Sequence, residues 1–149
     1  VREGIQDVRG SLNRLRPGAL EGRTLKDALE KMIREYQTLS NLQVDLHYEW
    51  VDVDMDVMIE DTIFRVIQES MTNAVRHGHA SQMSLHFFEN EEDYLIELQD
   101  NGVGFETLTY GYGLKQMMER ISILGGQLQF ESRDGFFTRI SLPKYKEGR

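Results

Sequence analysis

The sequence predicts an α+β two-layer sandwich, in which a mixed, mostly antiparallel sheet of about five strands carries helices on one face. Two observations lead to this fold class. The hydrophobic patterns follow the order helix, helix, strand, helix, two strands, helix, two strands. The last two strand pairs are each joined by a short polar turn, as in antiparallel hairpins. A doubly wound nucleotide-binding fold would alternate strands and helices more strictly, so this order fits it less well.

Apolar residues recur at helical spacing in four segments, which predict helices. The first segment has a narrow, heptad-like stripe that suits packing against another helix. Thr24 and Asp27 offer a capping-box start to the second, and Gly78 is well placed to end the third. The four segments are residues 1–15, 25–39, 58–77 and 113–124.

Five further segments alternate apolar and polar residues, which predicts strands. The first of these, "VDLHYEW", places Val44, Tyr48 and Trp50 on one side. The acidic stretch "VDVDMD" after it predicts a polar connection. Two hairpins follow, one closed by "ENEE" and the other by "RDG". The five segments are residues 44–50, 82–88, 93–99, 127–132 and 136–142.

The composition is that of a single globular domain. The 149 residues are 40% hydrophobic and 28% charged, and no apolar run approaches the roughly 18 residues that span a bilayer. Cysteine is absent, which excludes disulfides and suits a reducing, cytoplasmic compartment. The net charge of −8 argues against nucleic-acid binding but leaves room for a small anion such as a nucleotide. Because the chain does not begin with methionine, we expect a fragment of a longer protein.

A polar stripe lies beside the apolar face of the third predicted helix. At about 100° per residue, this stripe adjoins the buried side of the helix. A carboxylate, an amide oxygen and a guanidinium therefore line one edge of a core helix. The edge is either a solvated flank with a Glu69–Arg76 interaction or one side of a binding site, and this stretch alone leaves both open. The residues of the stripe are Glu69, Asn73, Arg76 and His77.

The segment "DNGVGF" follows an apolar predicted strand. Asp100, at the strand end, can accept a hydrogen bond from an exocyclic amine, which adenine offers and guanine lacks at the corresponding position. Gly102 and Gly104 allow the backbone to come close to a flat ligand. Asn101-Gly102 is equally a hairpin-turn signal, and both interpretations stay open here.

The segment "GYGL", from Gly111 to Leu114, opens the fourth predicted helix. Glycines at a helix N-terminus allow backbone N–H groups to reach phosphate oxygens, and the helix dipole favours negative charge there. The chain has no G-x-x-x-x-G-K-[ST] sequence, which excludes a P-loop, and the protein-kinase signatures H-R-D and D-F-G are absent.

The order of these signals resembles the ATP-binding domain of sensor histidine kinases. That domain belongs to the GHKL superfamily (Bergerat fold), with Hsp90-type chaperones, type II topoisomerases and MutL mismatch-repair proteins. The resemblance runs from Leu25 to Pro143 and is strongest to the branch of DesK-, NarX- and LiaS-like sensors. The stretches that carry it are "VIQESMTNAVRHGHAS", "LQDNGVGF", "GYGLKQMMERISILGGQLQFES" and "TRISLP". The short segment "ETLTY" is similar to the brief lid of that branch.

The resemblance implies roles for the polar stripe. Asn73 matches the asparagine that gives a side-chain oxygen to Mg²⁺, which takes its other ligands from ATP phosphates and water. Glu69 matches the acidic residue that acts as a general base, polarising the incoming imidazole or a Mg-bound water. Arg76 matches a phosphate-binding position where many relatives have lysine, and His77 is a secondary phosphate contact.

The resemblance also implies how adenine and the phosphates are bound. Asp100 matches the adenine-binding aspartate, with Gly102 and Gly104 letting the base lie against backbone. Thr138 matches a threonine that reaches adenine through water, but Phe137 stands where relatives commonly have a second glycine. The residues that match the glycine motif of the lid are Gly111, Gly113 and Leu114.

The domain division and the reaction follow from the same resemblance. Residues 1–23 are similar to the tail of the second dimerisation helix with its linker, and residues 24–149 to the ATP-binding catalytic domain. The domain would transfer the γ-phosphate of Mg·ATP to a histidine on a separate helical domain, from which a response regulator takes it. We expect the full-length protein to be a homodimeric, membrane-anchored bacterial sensor, of which this fragment makes no direct membrane contact. The alternatives are an anti-sigma-type serine kinase, a non-kinase ATPase or clamp, and a degenerate nucleotide-binding or docking module.

Overall fold

The structure, a computed structural model, describes residues 20, 22–104 and 112–144. The described residues form three helices and five strands, and the predicted helix at residues 1–15 lies outside them. No described helix combines the length and the hydrophobicity that crossing a bilayer requires. The helices are α1 (Leu25–Leu39), α2 (Val57–Arg76) and α3 (Tyr112–Ile123), and the strands are β1 (Gln43–Tyr48), β2 (Gln82–Glu89), β3 (Asp93–Asp100), β4 (Gln127–Ser132) and β5 (Phe136–Pro143).

The five strands form one mixed sheet in the order β1-β2-β3-β5-β4. β1 and β2 are parallel because α2 crosses between them, whereas the other neighbouring pairs are antiparallel. β3 is the central strand, and β5 returns antiparallel beside it after α3, so the end of β3 lies next to the start of β5. This architecture confirms the predicted fold class.

The hydrophobic core lies between the helices and one face of the sheet. Alternate strand residues point to this face, and Leu85, Ile96 and Ile140 are fully buried there. The opposite face carries polar side chains, including the exposed His47 and Arg139. The described helices therefore cover one face, as predicted, while the other face carries exposed polar side chains.

Helix α2 crosses the middle of the core and positions the polar stripe. Its start is fixed by Asp56, whose carboxylate accepts a hydrogen bond from the Met58 amide at 2.7 Å. Ile63, Ile67 and Met71 are fully buried along one side. Because this buried side fixes the position of the helix, the side chains that flank it are fixed relative to the sheet.

An aromatic cluster closes the core near the end of β1. Trp50 is 6% exposed, its Nε1 donates to the Phe88 carbonyl oxygen at 2.6 Å, and its ring meets Phe87 edge-on at 5.0 Å. The strand itself ends at Tyr48, two residues earlier than the alternation predicts. Burial, together with the nearby carboxylate of Glu60, raises the pKa of Tyr48 to about 12.

Leu20, just before α1, is 3% exposed and belongs to the core. Thr24 caps α1 through a hydrogen bond from the Asp27 amide at 3.1 Å, as the capping pattern predicts. The end of the predicted linker is thus packed against the domain. The boundary between residues 23 and 24 stays a prediction.

Candidate functional site

A buried carboxylate stands at the end of the central strand. Asp100 is 6% exposed, and its Oδ1 accepts hydrogen bonds from the amides of Gly102 at 2.8 Å and Phe136 at 3.0 Å. Among the described residues, Oδ2 has no hydrogen-bond partner. A buried carboxylate oxygen without a partner is costly, so this atom is available to a ligand that offers a donor.

The loop at residues 101–104 ties Asp100 to the end of α2. The Val103 amide donates to the Gly78 carbonyl oxygen at 3.1 Å, and the Asn101 side chain accepts from the Ser81 amide at 2.8 Å. A Cβ at Gly102 would lie 2.5 Å from the Gly78 oxygen, so only glycine fits this approach. The chain continues from here to α3, and the hairpin-turn interpretation of Asn101-Gly102 is wrong because β3 pairs with β5 instead.

The β4–β5 turn supplies the second amide that holds Asp100. A Cβ at Gly104 would lie 2.6 Å from the Ser132 hydroxyl and 2.7 Å from the Gly135 oxygen, and Gly135 has a φ of 132° beside the Asp100 backbone. Sequence reasoning treated "RDG" as a hairpin turn only and missed that Gly135 and Phe136 complete this site. The available signal was a glycine three residues before Thr138.

The polar stripe lies along one edge of α2. Glu69 and Asn73 are half-buried and one turn apart, whereas Arg76 and His77 are exposed at the helix end. The Asn73 backbone carbonyl accepts the amides of His77 at 2.9 Å and Gly78 at 3.0 Å. Among the described residues, no hydrogen bond engages the Asn73 side chain. In the described part of the chain, Glu69 and Arg76 form no ion pair with each other, so the interaction expected of a solvated flank is missing.

The first turn of α3 lies against the same edge. A Cβ at Gly113 would overlap Glu69 Oε2, so the carboxylate lies directly beside the start of this helix. The positive end of the helix dipole therefore points towards the acidic end of the stripe. Leu114 is half-buried against the core and Lys115 is exposed, while Gly111 lies outside the described residues.

Thr138 is 3% exposed on the helix-facing side of β5, directly opposite Leu98. It lies two residues beyond Phe136, whose amide binds Asp100. Phe137 points to the opposite face of the sheet, where the Arg133 guanidinium lies 3.7 Å from the ring centroid. The bulky residue at the position commonly held by glycine therefore does not enter the Asp100 side of the sheet.

The described residues offer oxygen donors to a cation but no complete set of ligands. Glu69 and Asn73 offer hard oxygen donors one turn apart, which is the donor chemistry that Mg²⁺ prefers. Within the described ranges, no group of three or more histidine or carboxylate side chains is placed to hold a metal ion. A cation here would need oxygens from a bound ligand, and a polyphosphate supplies them.

A buried acceptor behind a glycine loop, a polar helix edge and a facing helix N-terminus are the features expected of a nucleotide-binding site of the ATPase type. The family model described as "Histidine kinase-, DNA gyrase B-, and HSP90-like ATPase" matches residues 58–146. The match covers more than half of the chain and includes every site element described above. The chain therefore belongs to this ATPase family.

Sequence similarity to curated relatives extends along nearly the whole chain. It is 35% identical over 147 residues to the signal transduction histidine-protein kinase/phosphatase UhpB of Salmonella typhimurium, covering 95% of this chain and 29% of the relative. It is 31% identical to the sensor histidine kinase LiaS of Bacillus subtilis, covering 94% and 39%, and 30% identical to the sensor protein VraS of Staphylococcus aureus, covering 95% and 41%. The chain thus spans less than half the length of these relatives.

Solved structures support the fold. The Acinetobacter baumannii histidine kinase AdeS superposes with a TM-score of 0.71 at 21% identity, over 81% of this chain and 65% of that one. The histidine kinase domain of the Erythrobacter litoralis EL346 blue-light activated histidine kinase gives 0.68 at 19% identity, over 80% and 60%. At these identities the likeness shows a common architecture.

Proposed function

We propose that this chain is the catalytic domain of a two-component sensor histidine kinase, which binds Mg·ATP and transfers its γ-phosphate to a histidine on a separate helical domain. The observation that carries the proposal is the Asp100 carboxylate, buried and held through one oxygen by two backbone amides. The family assignment and the histidine kinases among the relatives support it.

Adenine recognition follows from the state of the two Asp100 oxygens. Oδ1 is occupied by the amides of Gly102 and Phe136, so the carboxylate cannot rotate away, and Oδ2 accepts the exocyclic amine of adenine. Guanine presents an oxygen at that position, and two acceptors, this oxygen and the carboxylate, cannot form a hydrogen bond with each other. Thr138, buried on the same face of the sheet, adds a hydroxyl for a water-mediated contact with the base.

The triphosphate extends from Asp100 towards the polar stripe. Arg76 and His77, exposed at the end of α2, contact phosphate oxygens, and the start of α3 at Gly113 presents backbone amides. The resemblance implies the same role for Gly111. Asn73 would hold Mg²⁺ through its side-chain oxygen, and the ion would supply positive charge to the phosphates when bound. Glu69, beside Asn73, accepts the proton of the incoming nucleophile.

The partner of the reaction is a helical domain that carries the phosphoacceptor histidine. The four histidines of this chain do not suit that role, because His47, His77, His79 and His86 all lie within or next to the catalytic fold. We expect the whole protein to be a membrane-anchored homodimer with a cytoplasmic catalytic domain and a response regulator that takes the phosphate. The names of the relatives, which include a sensor histidine kinase and a sensor protein, support the signalling part of this proposal.

The test combines binding with transfer. Labelled ATP and Mg²⁺ are supplied to this chain with a separately produced helical phosphoacceptor domain, and acid-labile label on that domain is measured. We expect transfer by the native chain, and for Glu69→Gln we expect retained ATP binding with transfer reduced by about 10²-fold or more. ATP binding without any transfer to the helical domain would support the degenerate-module alternative, and label on serine would support the serine-kinase alternative.

A further inference from the structure

The face of the sheet that points away from the helices carries a small cluster beside the β4–β5 turn. The Arg133 guanidinium lies 3.7 Å from the centroid of the Phe137 ring. Gln99 is the direct cross-strand partner of Phe137, and its Oε1 lies 3.5 Å from Arg133 Nε. Because Arg133 is 52% exposed and Phe137 is 7% exposed, the guanidinium covers a ring that would otherwise face water.

This cluster of Gln99, Arg133 and Phe137 is joined to Asp100 through the backbone. The Gln99 side-chain amide donates to the Asp100 carbonyl oxygen at 2.7 Å and to the Arg133 carbonyl oxygen at 3.1 Å. On the other side of the sheet, the Phe136 amide donates to the Asp100 carboxylate at 3.0 Å. The turn that supplies this amide is thus held against β3 from both faces of the sheet.

We propose that Arg133 is a positioning residue for base recognition: stacked on Phe137, it holds the β4–β5 turn in place so that the Phe136 amide orients the Asp100 carboxylate. This inference rests on the proposed function, because it takes Asp100 as the adenine contact. The ring of Phe137, at a position where the family resemblance leads one to expect glycine, gives the guanidinium its platform. An exposed cation on an aromatic face contributes little to folding, so the effect falls on the geometry of the turn.

The experiment compares two nucleotides that differ only at the amine. Calorimetric titrations with ADP and with purine riboside diphosphate, which lacks the exocyclic amine, are made on the native chain and on Arg133→Gln. We expect Arg133→Gln to raise the Kd for ADP about threefold to fivefold, because the turn must then be ordered on binding, at a cost no greater than that of the lost cation–π contact. The Kd for the analogue, which makes no contact through the amine, should be unchanged.

Three further variants separate positioning from general structure. Arg139→Gln removes the other arginine of this face, which pairs with Glu97 away from the turn, and should leave both Kd values unchanged. Phe137→Leu keeps an apolar side chain but removes the ring, so it should reproduce the ADP effect. Arg133→Lys keeps a cation over Phe137 and should restore part of the affinity.

The outcomes are distinct. If Arg133→Gln binds ADP as the native chain does, or weakens both nucleotides equally, the positioning role is wrong. If the native chain binds neither nucleotide, the proposed function fails first and removes the basis of this inference.

Discussion

The Asp100→Asn substitution tests the adenine contact with little change in shape. The side chain keeps one oxygen, which can still accept the amides of Gly102 at 2.8 Å and Phe136 at 3.0 Å. Its NH₂ group then replaces Oδ2 and points a donor at the donor amine of adenine. Rotating the amide does not help, because the NH₂ group would then face the two backbone donors.

The magnitude follows from two terms. A hydrogen bond to a charged acceptor, worth about 1.5–3 kcal/mol, is lost, and a buried donor is left unsatisfied at a cost of about 1–3 kcal/mol. The sum of roughly 2.5–6 kcal/mol corresponds to a loss of about 10²- to 10⁴-fold in ATP affinity. The unliganded domain keeps its internal hydrogen bonds, so the melting temperature should change by less than about 3 °C. Asp100→Ala, by contrast, leaves the amides of Gly102 and Phe136 without an acceptor and should destabilise the fold itself.

The assay is calorimetric titration of the native chain and Asp100→Asn with ATP and with GTP, both in Mg²⁺, alongside thermal unfolding without nucleotide. The amide NH₂ can donate to the guanine oxygen, so the ratio of ATP to GTP affinity should fall in the variant as well as the ATP affinity itself. Unchanged ATP affinity, or equal loss for both nucleotides in a folded variant, would refute the assignment of Asp100 to the adenine amine.

Three further substitutions address the helix ends and the charge near them. Gly113→Ala places a methyl group against the Glu69 carboxylate, which must move, and should weaken ATP binding about tenfold. The melting temperature should not fall, because alanine favours the helix. Unchanged ATP binding would argue against the role of this helix start. Asp56→Ala removes the α2 cap and should lower stability by about 1 kcal/mol, a fall of roughly 3–5 °C in thermal unfolding, whereas Asp56→Ser should retain most of it. Burial and the nearby Asp54 raise the pKa of Glu60, so its contribution to stability is present at low pH and is lost as pH rises through the folded pKa. Glu60→Gln should therefore raise the melting temperature slightly at pH 7 and leave it unchanged below about pH 4. An equal gain at both pH values would contradict this reasoning.

The sequence was sufficient for most of the elements because local periodicity and end signals agree. The first described helix runs from Leu25 to Leu39, as predicted, and its Thr24 cap forms as the pattern indicates. α2 and α3 each begin one residue earlier than predicted, which is within the fraying of helix ends. Trp50 shows the limit of the alternation pattern, because it is buried by aromatic packing beyond the strand rather than by a place in the sheet.

The contacts that complete the site join residues far apart in the chain. The Phe136 amide and Asp100 are 36 residues apart and meet only because β5 returns beside β3, a pairing that no local pattern specifies. The hairpin signal at Asn101-Gly102 misleads for the same reason, since local turn chemistry is overridden by the order of strands. The placement of Phe137, however, was accessible from strand alternation, which puts it on the opposite face from Thr138.

The central claim is that Asp100, held by the amides of Gly102 and Phe136, and the start of α3 contact one bound nucleotide. A titration of the ¹⁵N-labelled chain with Mg·ADP, followed through the backbone amide resonances, tests it most directly. We expect the amides of Gly102, Phe136 and Gly113 to shift together with one binding constant, while residues of the exposed sheet edge at β1 stay unchanged. Shifts confined to β1, or separate binding constants at Phe136 and Gly113, would contradict the claim.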